Sequence, residues 1–229
     1  MAKTIIVGGY GPGISSAVAE KFGSAGFNVA LAARSAERLA AGVKALEGKG
    51  IKAAAFPTDL ADEAAVRALV GKVRDKLGPI SVVQWTAYGS GGGDLLTAKG
   101  AEIHQALDVA VTGLLAAIQE SLPDLRSQPN AAILVTNGGL GLFNDQVDAM
   151  GAQYNLMGLS LANSAKHKLV RLLSHKLKAD NIYVGEVMVL SSVKGTPFDS
   201  GNATLEAATV ADKFWQIYTA RTDVTVQVS

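Results

Sequence analysis

"TIIVGGYGPGIS", Thr4–Ser15, decides the fold. An apolar run of strand character enters four glycines within nine residues, Val7–Ser15, and a helical pattern follows. The dinucleotide spacing G-x-G-x-x-G does not fit it. Started at Gly9 it needs glycine at Ile14, and started at Gly11 it needs glycine at Ser16. What fits is G-x-x-x-G, as Gly9 and Gly13, between a strand and a helix. Glycine permits positive φ and close backbone approach, and a helix N-terminus offers free N–H groups with partial positive charge. Two readings stand at this point: a phosphate cradle, or a plain strand-to-helix turn.

Outward from the loop, short β-rich runs alternate with longer helical patterns. Strands are expected at 3–7, 28–33, 52–56, 80–87, 131–137, 182–190 and 224–228, and helices at 12–22, 35–47, 62–77, 99–122, 154–178 and 205–220. Ser35 reads as an N-cap, and either Asp59 or Asp62 as the next one. "GGLGLFNDQVDAMG", 138–151, reads as a long loop, and "GSGGG" after the fourth strand as a second. Strict strand–helix alternation implies an α/β fold, a doubly wound parallel sheet of about seven strands with helices on both faces. Residues 1–229 read as a single domain, with no composition break. Such sheets bind ligands beyond the carboxyl ends of their strands.

Composition excludes several classes. The chain has 229 residues, formal net charge +1 and no cysteine. Thiol catalysis, disulfides and cysteine-based metal sites are out, and no basic footprint for nucleic acid exists. Hydrophobic residues at 48% and charged residues at 18% describe a globular chain. No signal peptide or membrane span is expected, so the predicted location is cytoplasmic.

Two features favour a nucleotide. The second strand ends "LAARS", where an acidic residue would bind ribose hydroxyls; Arg34 stands there and suits a 2′-phosphate. "PTDL" follows the third strand, where Asp59 could accept from an adenine amino group or cap a helix.

In this order the motifs resemble the short-chain dehydrogenase/reductase family over nearly the whole chain. "GGYGPGIS" is similar to its T-G-x-x-x-G-I-G loop, with Gly8 at the threonine and Ser15 at the last glycine. "AARSAERL" and "TDLAD" resemble NADP-using members. Trp85, Thr86, Ala87 and Tyr88 occupy the place of Asn-Asn-Ala-Gly. The resemblance implies a Rossmann-like sheet binding NADP(H) through Gly9, Gly11, Gly13, Ile14, Arg34, Asp59, Leu60 and Ala87. It also implies a homodimer or homotetramer built through the two long helices, here 99–122 and 154–178. Val109, Leu114 and Leu115 are apolar residues for that face or for the core.

The family's catalytic residues are replaced. "LDVAVTGLL" puts Ala110 in the asparagine slot, and "AAILVTNGGLG" puts Gly138 in the serine slot beside Asn137. None of Tyr10, Tyr88, Tyr154, Tyr183 or Tyr218 is followed four residues later by lysine. The pattern of "LSLANSAKHKLVRLL" puts Leu159 in the tyrosine slot and Asn163 in the lysine slot, where Asn163 could bond a ribose hydroxyl. Leu190 and Ser191 replace the Pro-Gly after strand six. Tyr154, at the start of the 154–178 helix, is the candidate replacement acid. Gly138, Phe143, Leu142 and Leu159 are expected to wall a pocket for an unknown small-molecule substrate. His104 is expected on the surface. "KHKLVRLLSHKLK", with His167 and His175, is expected to be a solvated basic face, and no metal site is expected. Two functions follow: an oxidoreductase with an altered or substrate-assisted proton donor, or a nucleotide-binding sensor without turnover.

Overall fold

The computed structural model describes residues 3–89 and 92–229; Ser90 and Gly91 of the glycine-rich loop lie outside it. Seven strands form one sheet: β1 Lys3–Gly8, β2 Phe27–Ala33, β3 Ala53–Pro57, β4 Ile80–Trp85, β5 Ala132–Gly138, β6 Tyr183–Val189 and β7 Thr225–Val228. The order is β3-β2-β1-β4-β5-β6-β7, and every neighbouring pair is parallel. The chain winds outward from β1 to β3, then restarts at β4 on the other side of β1. The gap beyond Gly8 and Trp85, which pair across β1 and β4, is therefore the topological switch point.

Side-chain alternation explains the layers. Ile6, Ala30, Val83 and Ile133 face one core, with α3 (Glu63–Leu77), α5 (Gly113–Ser127) and α7 (Met157–Lys176) above them. Ile5, Val29, Val82 and Leu134 face the other, under α1 (Ile14–Ser24), α2 (Ala36–Glu47) and α8 (Ala207–Ala220). Strands covered on both faces need continuous apolar runs, and these have them. Phe22 of α1 packs edge-on against Phe27, Trp215 and Tyr218, which ties α8 to α1.

Most element boundaries fall where the sequence puts them, and Ser35 caps α2 by accepting from the Arg38 N–H. One open alternative is settled and three expectations change. Asp62, not Asp59, caps α3 by accepting from the Ala65 N–H. The 138–151 loop contains a helix, α6 (Asp145–Gln153), capped by the Asn144 side chain. Tyr154 closes α6 and does not open α7; Asn155, at φ +53°, makes the turn between them. The long helix is broken into α4 (Gly100–Leu107), a π-helical turn over Asp108–Thr112, and α5. By length and composition alone Gly100–Ser127 is apolar enough to cross a membrane. In the fold its buried side, including Leu114, Ile118 and Leu125, packs into the core over α3 and β4, so Leu114 is core and not a free face.

The π turn lets α5 approach the β3–α3 connection. A Cβ at Gly113 would lie 2.1 Å from the Leu60 carbonyl oxygen. Gly113→Ala gains about 1 kcal/mol of helix propensity but forces backbone apart, at about 1–3 kcal/mol. A net loss of stability in urea unfolding is expected; a gain would contradict this packing.

Candidate functional site

The cradle begins at the end of β1. Gly9 has φ +85° and Gly13 φ +90°, conformations that side chains rarely adopt. A Cβ on Gly9 would meet the Ala87 backbone nitrogen at 2.4 Å, so the loop lies against the chain leaving β4. The Thr86 and Ala87 N–H groups both donate to the Gly8 carbonyl, at 2.8 and 3.1 Å. Ser15 Oγ holds Gly11 from both sides, accepting its N–H at 2.9 Å and donating to its carbonyl at 3.0 Å. Pro12 falls in the turn before α1. Gly13 is the N-cap and supplies no side-chain acceptor, so the first N–H groups of α1, starting at Ile14, stay free for an anion.

Arg34 is exposed at the end of β2 and forms no ion pair among the described residues. Sequence reading missed Arg38, one turn into α2, whose guanidinium comes within 4.0 Å of a Cβ built on Gly11. Arg38 therefore flanks the glycine loop, and Arg34 follows two residues after Ala32, whose carbonyl accepts the Gly9 and Tyr10 N–H groups. Asp59 is exposed and folds back to accept the Ala61 N–H at 3.1 Å. The Leu60 side chain belongs to the core, leaving only its backbone for a ligand.

The far end of the crevice is rebuilt. The Trp85 indole is fully buried, donates to the Val109 carbonyl in the π turn at 3.0 Å, and covers Gly8. A Cβ at Gly8 would stand 2.5 Å from its Cε3. Any side chain at 8 is excluded by the indole at 85. Ala110 is wholly buried and offers no polar group. Thr86 and Thr136 hydroxyls bond each other at 2.8 Å, and Gln84 Nε2 donates to both.

Asn163 is only 6% exposed, and its carboxamide nitrogen lies 2.8 Å from the point where a Gly138 Cβ would stand. Asn137 fixes this corner. Its Nδ2 donates to the Asn163 carbonyl at 3.1 Å and to Glu186 Oε2 at 2.9 Å, and its Oδ1 accepts the Gly138 N–H at 3.0 Å. Leu159, four residues before Asn163, shares its helix face and is half-buried. Phe143 is 82% exposed and does not form the expected wall. Tyr154 is 63% exposed at the end of α6 and is not drawn into this corner. Tyr88 and Phe198, the latter missed in the sequence, place their rings 5.5 Å apart across the loops after β4 and β6. Burial pushes the Tyr88 hydroxyl up, away from use as an acid at neutral pH.

Beneath the corner lies a buried ionic cluster. Glu186 is wholly buried on β6; it accepts from Thr225 Oγ1 at 2.8 Å and pairs with His167 Nδ1. Lys166, 2% exposed, donates to the Thr136 carbonyl at 3.1 Å. Most of the basic stretch is the solvated face expected, with Lys168, Arg171, His175, Lys176 and Lys178 exposed, but Lys166 turns into the core and His167 toward Glu186. Its helical phase carried the signal, since Lys166 lies three residues after Asn163. Burial pushes the Lys166 ammonium down to about 8, against the pull of Glu186. Two cavities, about 210 Å³ beside Ser191, Ser200 and Asn202 and about 320 Å³ between Gly93–Leu96 and Gly151, Ala152 and Asn155, are lined by none of the expected site residues.

The comparisons with known proteins agree with this architecture. The model for short chain dehydrogenase matches residues 3–199. A 3-oxoacyl-[acyl-carrier-protein] reductase FabG of Staphylococcus aureus is 26% identical over 70% of this chain, and the chain spans 66% of its length. A 2,5-dichloro-2,5-cyclohexadiene-1,4-diol dehydrogenase of Sphingobium indicum is 31% identical over 72% of this chain and 68% of its own. Among solved structures, an NADPH-bound short chain oxidoreductase of Pseudomonas aeruginosa PAO1, described as containing an atypical catalytic center, superposes with TM-score 0.84. It is 21% identical, over 99% of this chain and 95% of its own. A blue fluorescent protein from a metagenomic library, in complex with NADPH, does so with TM-score 0.84 at 21% identity, over 99% and 96%.

The lowered Lys166 value has a stability consequence. Between about 8 and its usual 10.5 the unfolded chain holds a proton that the folded chain has lost, so folding gains stability as pH rises through that window. The stability of the parent chain minus that of Lys166→Met should therefore climb from pH 8 to 10.5 in urea titrations. A flat difference would contradict the burial of a charge there. On the sequence, the glycine loop and the sheet around this site, the chain belongs to the short-chain dehydrogenase family.

Proposed function

We propose that this chain binds NADP(H) across the switch point and acts as an oxidoreductase-like protein on a small carbonyl or alcohol compound. The observation that carries the reading is the cradle: Gly9 and Gly13 at positive φ, an uncapped α1 N-terminus, and Arg34 and Arg38 at its rim. These residues fit a pyrophosphate and a 2′-phosphate. Bound there, the reduced cofactor would supply a hydride to a carbonyl, and the oxidised form would accept one from an alcohol. The N–H groups of α1 would hold the pyrophosphate, and Arg34 the 2′-phosphate, with Ala87 closing the loop. Asp59 and the Leu60 backbone remain for the adenine, and Gly138 and Leu159 for the substrate side. The NADPH complexes among the structural relatives support the choice of cofactor.

The proton is the open part of the chemistry. Ala110, Gly138 and Leu159 carry no titratable group, and positioned acid–base help is worth about 10²–10⁴ in rate. A protein-derived proton is thus absent from the family positions, which favours a substrate that assists its own protonation. The same replacements support a second reading, an NADP(H)-binding sensor or regulator without turnover. Either form is read as a single cytoplasmic domain that assembles with itself. Leu161 and Leu172, 42% and 58% exposed, lie eleven residues apart on α7 and so share one face for a second copy.

Arg34→Ala should weaken NADPH about ten- to hundredfold in fluorescence titrations, the loss of a charge-assisted hydrogen bond, and leave NADH unchanged. Equal effects on the two would contradict the 2′-phosphate role. No NADPH binding at millimolar concentration would overturn the cofactor reading. Leu172→Glu should lower the mass measured by light scattering to that of a monomer; an unchanged oligomer would place the interface elsewhere.

A further inference from the structure

The carboxamide of Asn163 is the polar group that the rebuilt corner leaves unused. The residue is 6% exposed, yet among the described residues its side chain makes no hydrogen bond, its only partner being at its carbonyl. The buried side-chain atoms with neither partner nor surface are Gln84 Oε1 and Ser121 Oγ. Asn163 is not among them, so its carboxamide keeps an open edge. An unpaired amide that is largely out of water costs about 1–3 kcal/mol, which a ligand oxygen or a bound water would offset.

Its place is built. Asn137 clamps the Asn163 turn to Glu186, Lys166 ties the next turn to the Thr136 carbonyl, and Ser164 reaches the Gly141 carbonyl at 3.5 Å. A Cβ at Gly141 would meet the Asn163 backbone at 2.7 Å, so the 138–141 segment lies directly on that turn. The carboxamide also ends two bonds short of a lysine ammonium. It lies against β5 at Gly138, in the space a serine side chain would fill.

We propose that Asn163 Nδ2 is the hydrogen-bond donor for a neutral carbonyl oxygen of the substrate, admitted to that position because residue 138 is glycine. A neutral, apolar ketone or aldehyde is the class that fits. The donor is uncharged, Leu159 shares its helix face, and Leu190 packs on Gly139, where a Cβ would lie 3.2 Å from its Cδ2. Lys166, the nearest cation on this helix, is committed to Thr136 behind the site. This assignment rests on NADP(H) binding in the same crevice, and the cofactor titration above fails separately from it.

The test uses the protein loaded with NADP⁺, so that a ketone binds without reduction. The probes are 4-fluoroacetophenone and 1-ethyl-4-fluorobenzene, which lacks the oxygen, followed by ¹⁹F NMR. Asn163→Ala should weaken the ketone about three- to tenfold, the range of one neutral hydrogen bond, while leaving the hydrocarbon and NADPH unchanged. Gly138→Ala, whose φ of −122° suits any residue, should displace the carboxamide and do the same. The proposal is overturned if the parent protein shows no saturable ketone binding. It is equally overturned if ketone and hydrocarbon weaken alike, or if Asn163→Ala weakens NADPH and spares the ketone.

Discussion

The indole of Trp85 sets the geometry of the switch point. It fills the end of β4, lies across the bare backbone of Gly8 and bonds the Val109 carbonyl where the long helix loosens into a π turn. Three elements meet on one ring: the strand that launches the glycine loop, the strand beside it and the helix above. Core volume here is fixed, because protein interiors are packed to crystal density. An indole at 85 is compatible with glycine at 8 and not with a larger residue. The threonine-to-glycine and asparagine-to-tryptophan departures from the family pattern are thus one exchange of volume.

A second exchange operates at the other end of the crevice. Gly138 has no side chain, and the Asn163 carboxamide stands in the vacated space. The helix turn that carries it is held by hydrogen bonds to the Asn163 carbonyl and from Lys166. Glu186, Lys166 and His167 are placed under the corner with Asn137 as their link to β5 and α7. Such a cluster is a weak source of net stability, since desolvating ions offsets most of their attraction. Its effect is geometric: it leaves Asn137 one orientation, with its amide committed to Glu186 and Asn163 and its oxygen to Gly138. The glycine-loop end and the Gly138 end of the crevice are thus two separately packed arrangements.

The parallel sheet and its strand spans were legible because they depend on periodic apolar runs. The glycine turn between β1 and α1 and the cap at Ser35 were legible from local residue chemistry. α6 was not: Asn144 caps it, but Gly151 and the short apolar content of 145–153 read as loop. Phe143 was expected to wall a pocket and Tyr154 to begin the 154–178 helix; with α6 between Asn144 and Tyr154, both side chains are exposed. Lys166 and His167 belong to a run whose other basic residues are exposed, which hides their inward orientation. Their partner, Glu186, sits within an apolar strand about twenty residues away, and no local rule connects them. The departures at 8, 85, 138 and 163 were visible as substitutions, but their pairing is a fact of three-dimensional contact.

The glycine loop at the switch point and the corner bearing the Asn163 carboxamide together form the crevice in which the proposed cofactor would lie. The most direct test is the structure of the NADP⁺ complex, read at nicotinamide C4. The account predicts that the Asn163 carboxamide is the nearest polar side chain to C4, within about 3.5 Å of an oxygen placed to react there, with Leu159 beside it. A tyrosine, histidine, lysine or carboxylate side chain at that position, or a ring bound away from Gly138, would contradict it.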